Sequence, residues 1–197
     1  MIDERIYLVP TGNADKEAME MIKTMLPRIL SMVTKVEVLP QEKIPESAYD
    51  PSRKQYDAEM VLGDISKRVP LSTTRESALI ISEVDLYSPG SDFVLGASDP
   101  SRVTGIISLK RLRNEFYNDK PDDRVFHQRA LKEAMHELGH GWGLSNCSDQ
   151  KCAMHPSKDI SDMDSIKRPW FCYECQNKLR GRYVSTITKA PSLTLIK

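Results

Sequence analysis

Residues 136–147 read HELGHGWGLSNC, and this stretch decides which fold the chain adopts. It contains the pattern His-Glu-x-x-His, with His136 and His140 as its two histidines. Residues i and i+4 of an α-helix lie about 40° apart around the helix axis, so both imidazoles can bind one zinc ion. Glu137 is offset by about 100°, where its carboxylate reaches a water molecule on the zinc rather than the metal itself. The pattern therefore predicts the centre of a zinc peptidase.

A five-residue pattern also matches by chance, so the alternative is a surface helix that carries it by accident. The glycines in this stretch argue against that alternative, because an interior glycine costs a helix about 1 kcal/mol relative to alanine. Gly139 and Gly141 lie within the expected helix, and Gly143 follows it. Gly143 is suited to a positive φ that ends the helix and turns residues 144–146 back toward the metal.

All four cysteines of the chain lie close together in sequence, after the histidines. Cys147 and Cys152 form one pair, and Cys172 and Cys175 form a second pair with Cys-x-x-Cys spacing. Two closely spaced thiolate pairs of this kind are typical of a structural zinc site with four cysteine ligands. The alternatives are a redox Cys-x-x-Cys and unrelated buried thiols, but a redox motif leaves the first pair unexplained.

The histidines and cysteines, taken with their spacing, resemble the archaemetzincin family of metzincin zinc proteases. The match runs from His136 to Cys175 and includes Gly143 and Met154. The resemblance implies an α/β (α+β) fold of the zincin type. This fold would have a mixed twisted sheet, three main helices and a C-terminal subdomain stapled by zinc. It also implies two zinc ions (Zn²⁺), one catalytic and one structural.

Two further expectations rest on the same resemblance. Met154 would be the residue of a Met-turn, which lies under the catalytic zinc without binding it. Without the family, Met154 is interpreted as a core methionine. Residues 93–98 would form the antiparallel edge strand that lines the substrate cleft, where an extended peptide adds as a further strand. A core or hairpin strand is the alternative for this segment.

The family pattern places a third histidine at position 146, where this chain has Asn146. A carboxamide oxygen is a poor ligand for zinc and suits harder ions better. Several arrangements are open: Asn146 binds zinc through its carbonyl oxygen, it only hydrogen-bonds a zinc-bound water, His155 or Asp149 replaces it, or the site stays empty. We therefore expect the catalytic zinc to be held more weakly than the structural zinc.

The composition is typical of one globular domain with a sizeable core. The chain has 197 residues and no formal net charge, with 40% hydrophobic and 28% charged residues. The balanced charge argues against nucleic acid or an anionic membrane as a partner. The N-terminus lacks the basic start and apolar run of a secretory signal, and no apolar segment reaches the ~18 residues that span a bilayer. We expect a cytoplasmic protein, and the oligomeric state is open.

We expect one domain over residues 1–197, with an upper subdomain over residues 1–143 that contains the sheet and the active-site helix. Strands are expected at residues 6–10, 33–39, 78–87, 93–97 and 103–109. Helices are expected at residues 15–32 with a kink or early stop at Pro27, at residues 55–69, and from about residue 125 to 142 with Asp122 or Asp123 as the cap. The lower subdomain, residues 144–197, is expected to contain the Met-turn and the cysteine site and little regular structure. The basic run at residues 110–113 is expected to be a solvated face.

The leading functional prediction is a zinc-dependent metallopeptidase that acts on a peptide or protein substrate. Its water is activated on zinc, and Glu137 is the general base and then the acid for the leaving amine. The first alternative is a weak or inactive metzincin-like protein that binds peptides or partners; Asn146 supports it and Glu137 opposes it. The second is a zinc-ribbon-like interaction or nucleic-acid module on the four cysteines, which the neutral charge opposes.

Overall fold

The computed structural model describes residues 4–157, 159–165 and 168–187. The strands are β1 (Glu4–Pro10), β2 (Val33–Val38), β3 (Tyr49–Asp50), β4 (Gln55–Asp57), β5 (Glu76–Ser82), β6 (Leu86–Tyr87), β7 (Gly96–Asp99) and β8 (Thr104–Ser108). The α-helices are α1 (Lys16–Ile29), α2 (Ala58–Ile65), α3 (Asp123–Gly141), α4 (Ile160–Ser165) and α5 (Tyr173–Ile187). Among the described residues, no helix combines the length and apolar character that crossing a bilayer requires.

The main sheet has five strands in the order β2-β1-β5-β8-β7. The first four are parallel, and β7 pairs with β8 in the antiparallel sense at the edge. The alternation along β5 explains how both faces are covered. Leu79 and Ile81 face the core that α1 and α3 share, while Ala78 and Ile80 face the core under α2. The predicted mixed sheet is confirmed.

Several element boundaries differ from the sequence-based expectation. The helix expected at residues 55–69 is limited to α2, because residues 55–57 form β4 and Asp57 caps the helix by accepting from the Glu59 and Met60 N–H groups. Strands β3, β4 and β6 form a second, small sheet that the sequence pattern does not predict. Helix α1 ends at Ile29, two residues after Pro27, which agrees with an early stop.

The expectation of little regular structure after residue 144 is wrong, because α4 and α5 lie there. Helix α5 begins inside the Cys-x-x-Cys pair, so that Cys175 and Leu179 fall on one buried face. These two residues are four apart, which is the spacing of neighbours on a helix surface. The cysteines of this segment therefore have an apolar packing role in addition to their place in the cluster.

The basic run at residues 110–113 is not a solvated face, contrary to expectation. The Arg111 guanidinium donates to Asp85 Oδ1 and Oδ2 at 2.6 and 2.8 Å, and its side chain is only 18% exposed. Arg113 Nη2 lies 2.8 Å from Asp15 Oδ2 and 3.2 Å from Glu83 Oε1. Both arginines therefore connect this segment to other elements of the fold.

Candidate active site

Helix α3 brings the His-Glu-x-x-His residues into the interior of the molecule. Asp122 caps the helix by accepting from the Val125 N–H at 3.0 Å, as one of the two predicted caps. The helix ends in a Schellman turn, since the Gly143 N–H donates to the His140 carbonyl and the Leu144 N–H to the Gly139 carbonyl. Gly143 has φ +85°, which confirms the predicted left-handed residue. The chain then turns back along α3.

The two histidine rings converge on one point. Their Nε2 atoms lie 3.1 Å apart, and each Nδ1 donates to a backbone carbonyl at 2.8 Å. The acceptor for His136 is Ala153, and the acceptor for His140 is Leu144. A neutral imidazole that donates through Nδ1 presents a lone pair on Nε2. Both rings are therefore held in the tautomer that binds a metal through Nε2.

The spacing of these two nitrogens fits a zinc ion. Two zinc–nitrogen bonds of about 2.0–2.1 Å at a tetrahedral angle place the nitrogens about 3.3 Å apart. The observed separation of 3.1 Å is close to this value. Two lone pairs directed at one point repel each other, and a shared cation removes that repulsion. The donor set is thus that of an imidazole site for a borderline-soft metal.

Glu137 is buried between α3 and the edge of the main sheet, with 5% of its surface exposed. A Cβ atom at Gly96 would lie 2.6 Å from Glu137 Cγ and 2.8 Å from Oε1. A Cβ atom at Gly105 would lie 3.1 Å from Glu137 Cβ. The close approach of β7 and β8 to this side chain therefore depends on glycine at both positions. The strands hold the carboxylate beside the histidines.

A cleft of about 230 Å³ contains the histidines and Glu137. One wall is residues 93–96, and the other wall includes Asn146, Pro156 and Ser157. Because β7 is the edge strand and its first residue lines the cleft, the predicted edge position is confirmed. The strand itself begins at Gly96, three residues later than predicted, and residues 93–95 lead into it.

Asn146 lines this cleft, whereas its two proposed substitutes, Asp149 and His155, do not. Asp149 is exposed, and its Oδ1 accepts from the Lys151 N–H at 2.9 Å. His155 Nδ1 donates to the Cys147 carbonyl at 3.0 Å, away from the cleft lining. Within the described part of the chain, the four cysteines are the only group of three or more His, Cys, Asp or Glu side chains close enough to share a metal.

Sequence reasoning did not anticipate several features of the cleft. Glu133 lines it from one turn earlier in α3 and is 4% exposed. The signal was present, since Glu133 shares the i, i+3, i+4, i+7 face with His136, Glu137 and His140. The two backbone carbonyls that orient the histidines had no comparable signal, because every residue has a carbonyl.

The four cysteines form a second candidate metal centre. Their sulfur atoms all lie within 4.8 Å of one another, and Cys147 Sγ is 3.8 Å from Cys172 Sγ. Four thiolates at about 2.3 Å from a tetrahedral zinc are about 3.8 Å apart. Backbone N–H groups of Met154 and Cys172 donate to Cys152 Sγ at 3.4 and 3.3 Å. The geometry therefore fits a closed structural zinc site.

The pKa values of these thiols depend on burial and on the other cysteines of the cluster. Burial raises the pKa of Cys152, and burial together with the charge of Cys152 raises the pKa of Cys175. Burial acts to raise the pKa of Cys172 as well, but hydrogen bonds from the Cys175 N–H and the neighbouring thiols lower it below its ordinary value. Four adjacent thiolates need a positive charge among them, which a divalent metal supplies.

Met154 connects the two candidate centres. Its side chain is fully buried below α3, where a Cβ atom at Gly139 would overlap its Sδ atom and lie 3.0 Å from Phe171 Cε1. Its carbonyl accepts from the Cys147 N–H at 2.9 Å. The residue thus packs under the histidine helix while its backbone belongs to the cysteine loop.

Comparison with known proteins gives a family match. The model of peptidase family M54 matches residues 16–181. An archaemetzincin from Methanocaldococcus jannaschii is 37% identical over 183 residues, which are 92% of this chain and 97% of that protein. An archaemetzincin from Pyrococcus furiosus is 43% identical over 135 residues, which are 68% of this chain and 69% of that protein.

Solved structures show the same fold. An archaemetzincin from Archaeoglobus fulgidus, complexed with malonate, superposes with a TM-score of 0.74 at 30% identity and covers 88% of this chain and 99% of its own. A zinc-dependent peptidase from Methanocorpusculum labreanum superposes with a TM-score of 0.78 at 29% identity, with the same coverage of both chains. The fold class expected from the sequence is thereby confirmed.

Proposed function

This chain belongs to peptidase family M54, and on that premise we propose that it hydrolyses peptide bonds with Glu137 as the general base. Membership of the family makes it a zinc metalloprotease, like the archaemetzincins that it resembles. One observation carries the finer proposal. The Nε2 atoms of His136 and His140 lie 3.1 Å apart in a cleft that also contains the buried carboxyl of Glu137.

The proposed ligands of the catalytic zinc are His136 and His140, with Asn146 at the same cleft. Zinc at this position would polarise the scissile carbonyl and lower the pKa of a water toward ~7. Asn146 can reach such a site only with its carboxamide, whose oxygen is a weak zinc ligand and a good hydrogen-bond acceptor. We therefore propose that the two histidines supply most of the affinity. The structural zinc is proposed at the four cysteines.

Glu137 is proposed to act twice in the reaction. Its carboxylate accepts a proton from the attacking water and then donates it to the nitrogen of the leaving amine. The helix supports this assignment, because Glu137 is adjacent in sequence to His136, about 100° from it around the helix axis, and its side chain lies against Gly96 of β7. Its burial removes competing water and strengthens its interaction with charge that develops in the cleft.

The proposed substrate is an extended peptide that lies along β7. An edge strand offers backbone groups to an added strand, and β7 borders the cleft at Gly96. The carboxylates of Glu133 and Glu137 in the same cleft repel phosphate groups, which supports a peptide rather than a nucleic acid as the partner. A cytoplasmic location is proposed because a reducing compartment keeps four neighbouring thiols available for metal.

We also propose Gly143 as the boundary between an upper subdomain, residues 1–143, and a lower one, residues 144–197. The cleft supports this division, because one wall comes from residues before Gly143 and the other from residues 146, 156 and 157. Residues 1–3 of the upper part and 158, 166–167 and 188–197 of the lower part lie outside the described residues.

The test is peptide hydrolysis by the zinc-loaded protein and by its Glu137→Gln variant. Glutamine keeps the shape of the side chain and removes the base, so we expect the rate of cleavage to fall by about 10²- to 10⁴-fold. A fluorogenic peptide library measures the rate, and circular dichroism and zinc content show that fold and metal are retained. The matched control is Glu20→Gln, on an exposed face of α1. Cleavage that survives Glu137→Gln at the wild-type rate contradicts the proposed role.

A further inference from the structure

The residues that lead into β7 are contacted by side chains of two other segments, residues 53–55 and Arg111. We call residues 91–95 the cleft rim, of which residues 93–95 line the cleft. Arg53 Nη2 donates to the carbonyls of Ser91 and Asp92, both at 2.9 Å. Gln55 Nε2 donates to the same Asp92 carbonyl at 3.0 Å. The backbone of the rim is thus held at Ser91 and Asp92, which are outside the cleft lining.

Arg111 holds the aromatic side chain of this rim. Its guanidinium carbon lies 4.2 Å from the ring centroid of Phe93 and 4.6 Å from that of Phe116. Phe93 lines the cleft together with the catalytic residues, whereas Arg111 is not part of the cleft lining. The guanidinium therefore covers the ring of Phe93 from outside the cleft, in a cation–π contact.

The position of Arg111 is itself determined by a bidentate ion pair. Its Nε and Nη2 atoms donate to the two carboxylate oxygens of Asp85 at 2.6 and 2.8 Å. Asp85 Oδ2 also accepts from Gln55 Nε2 at 3.1 Å, and Gln55 is 4% exposed. A planar guanidinium in a two-point contact has one orientation, so the stack on Phe93 is fixed as well.

We infer that Arg111 is a positioning residue for substrate binding and that it acts through Phe93. The ring of Phe93 is then an apolar contact for a side chain of the bound peptide, and its orientation is set by the Asp85–Arg111 pair. The inference rests on the proposed function, since it names a determinant of binding for the same cleft.

The kinetic consequence follows from where these residues lie. Arg111 and Phe93 are on the sheet side, whereas the proposed reacting groups are on α3. A contact that is equally strong in the ground state and the transition state changes KM and leaves kcat unaltered. Loss of the Arg111 stack is therefore expected to raise KM alone.

The variant that isolates the stack is Arg111→Lys. Lysine keeps a cation near Asp85 but loses the planar group that covers Phe93. We expect KM to rise roughly threefold to tenfold for peptides with an apolar side chain near the scissile bond, with kcat within about twofold of wild type. Phe93→Leu is expected to raise KM in the same way. The KM of the double variant should be no higher than that of the more affected single variant, because both substitutions remove the same contact.

The chain offers a matched control in Arg113→Lys. Arg113 also pairs with two carboxylates, and its guanidinium carbon lies 3.9 Å from the Phe126 ring centroid, but Phe126 belongs to the core and not to the cleft. Arg113→Lys should lower the thermal midpoint by about as much as Arg111→Lys and leave KM unchanged.

The outcomes separate this inference from the proposed function. Three results would each overturn the inference: an unchanged KM in Arg111→Lys, an equal rise of KM in Arg113→Lys, or additive effects of Arg111→Lys and Phe93→Leu. None of them contradicts the proposed function as long as the wild-type protein cleaves peptides. The inference would also be overturned if the wild-type protein preferred peptides with basic side chains over apolar ones and Phe93→Leu left that preference unchanged. That result would assign the preference to the carboxylate of Glu133. If Arg111→Lys does not fold, Phe93→Leu with an unaltered KM overturns the inference. Absence of cleavage by the zinc-loaded wild type overturns both.

Discussion

The backbone carbonyl of Ala153 accepts a hydrogen bond from His136 Nδ1 at 2.8 Å. Ala153 lies between Cys152 and Met154, and its own N–H donates to the Trp170 carbonyl at 2.9 Å. The acceptor that orients one proposed catalytic ligand is therefore part of the loop that the cysteine cluster closes. Loss of a hydrogen-bond partner that orients a metal ligand usually lowers metal affinity by about 10- to 100-fold.

We predict that damage to the cysteine cluster weakens zinc binding at the histidines. Cys175→Ser removes one of the four sulfurs, and without a closed cluster the Ala153 carbonyl is less well placed for His136. The zinc affinity of the histidine site should fall by about 10- to 100-fold, measured by competition with a chromophoric chelator. Lys151→Ala, an exposed side chain in the same loop, is the control. Equal affinities in Cys175→Ser and wild type would show that the two centres are independent.

Asn146→His is predicted to complete the histidine site. An imidazole is a better zinc ligand than a carboxamide, and position 146 already lines the cleft. We expect wild-type protein to purify with one zinc held tightly and the second only partly occupied, and Asn146→His with close to two. Elemental analysis after dialysis measures this ratio. Two tightly held zinc ions per wild-type chain would contradict the prediction, because the carboxamide would then be sufficient.

Gly139→Ala is predicted to destabilise the protein in spite of alanine's higher helix propensity. The added methyl group would overlap Met154 Sδ and approach the Phe171 ring, and overpacking of this kind costs about 1–3 kcal/mol. The matched control is Gly63→Ala in α2, where a Cβ atom meets nothing within 4 Å. That variant should gain up to about 1 kcal/mol. Urea unfolding of both variants tests the difference, and equal shifts would mean that Met154 moves aside freely.

A pH-dependent contribution to stability is predicted for Asp15. Burial disfavours its charge, but the Ala18 N–H and the Arg113 guanidinium more than compensate, so the pKa of Asp15 lies below its ordinary value of 3.8. A lowered folded-state pKa gives stability that is present above the ordinary value and is lost as pH falls through the folded value. Asp15→Ala should cost about 1–2 kcal/mol at pH 7, and Asp15→Asn less, since it keeps the cap acceptor.

Urea unfolding of the two Asp15 variants and of wild type from pH 7 to pH 3 tests this sign. The deficit of Asp15→Asn should begin to shrink as pH falls below about 4, because Asp15 of the unfolded wild-type chain then takes up a proton, and it should go on shrinking until pH falls through the lower folded-state pKa. A deficit that is constant over this range would assign it to packing rather than to charge.

The sequence predicted the main sheet and α3 because their patterns are strong and local. Residues 78–81 form a continuous apolar run, as in a strand with both faces covered, and Gly143 marks the end of α3. The extra helix α5 was missed for a physical reason. Its apolar face is formed partly by Cys175, and a cysteine counted only as a metal ligand hides the period of four residues.

The candidate site was predictable to the level of side chains but not to the level of backbone. His136, Glu137, His140 and the cysteines all lie where their spacing indicated. The residues that the sequence did not indicate contribute through backbone carbonyls or through ion pairs with residues far away in the sequence. Arg111 is an example, because its burial depends on Asp85, 26 residues earlier in the chain. A charge run has no local signal that distinguishes a solvated face from such a pair.

The Schellman turn at Gly143 has a consequence for how the site assembles during folding. The carbonyl that orients His140 is four residues away in sequence, whereas the carbonyl that orients His136 is 17 residues away. Short-range contacts close quickly, because little chain entropy is lost. We expect one imidazole to acquire its tautomer as soon as the helix forms, and the other only when the cysteine loop has closed beneath it. We therefore expect metal capture at the histidines to be the last of these events.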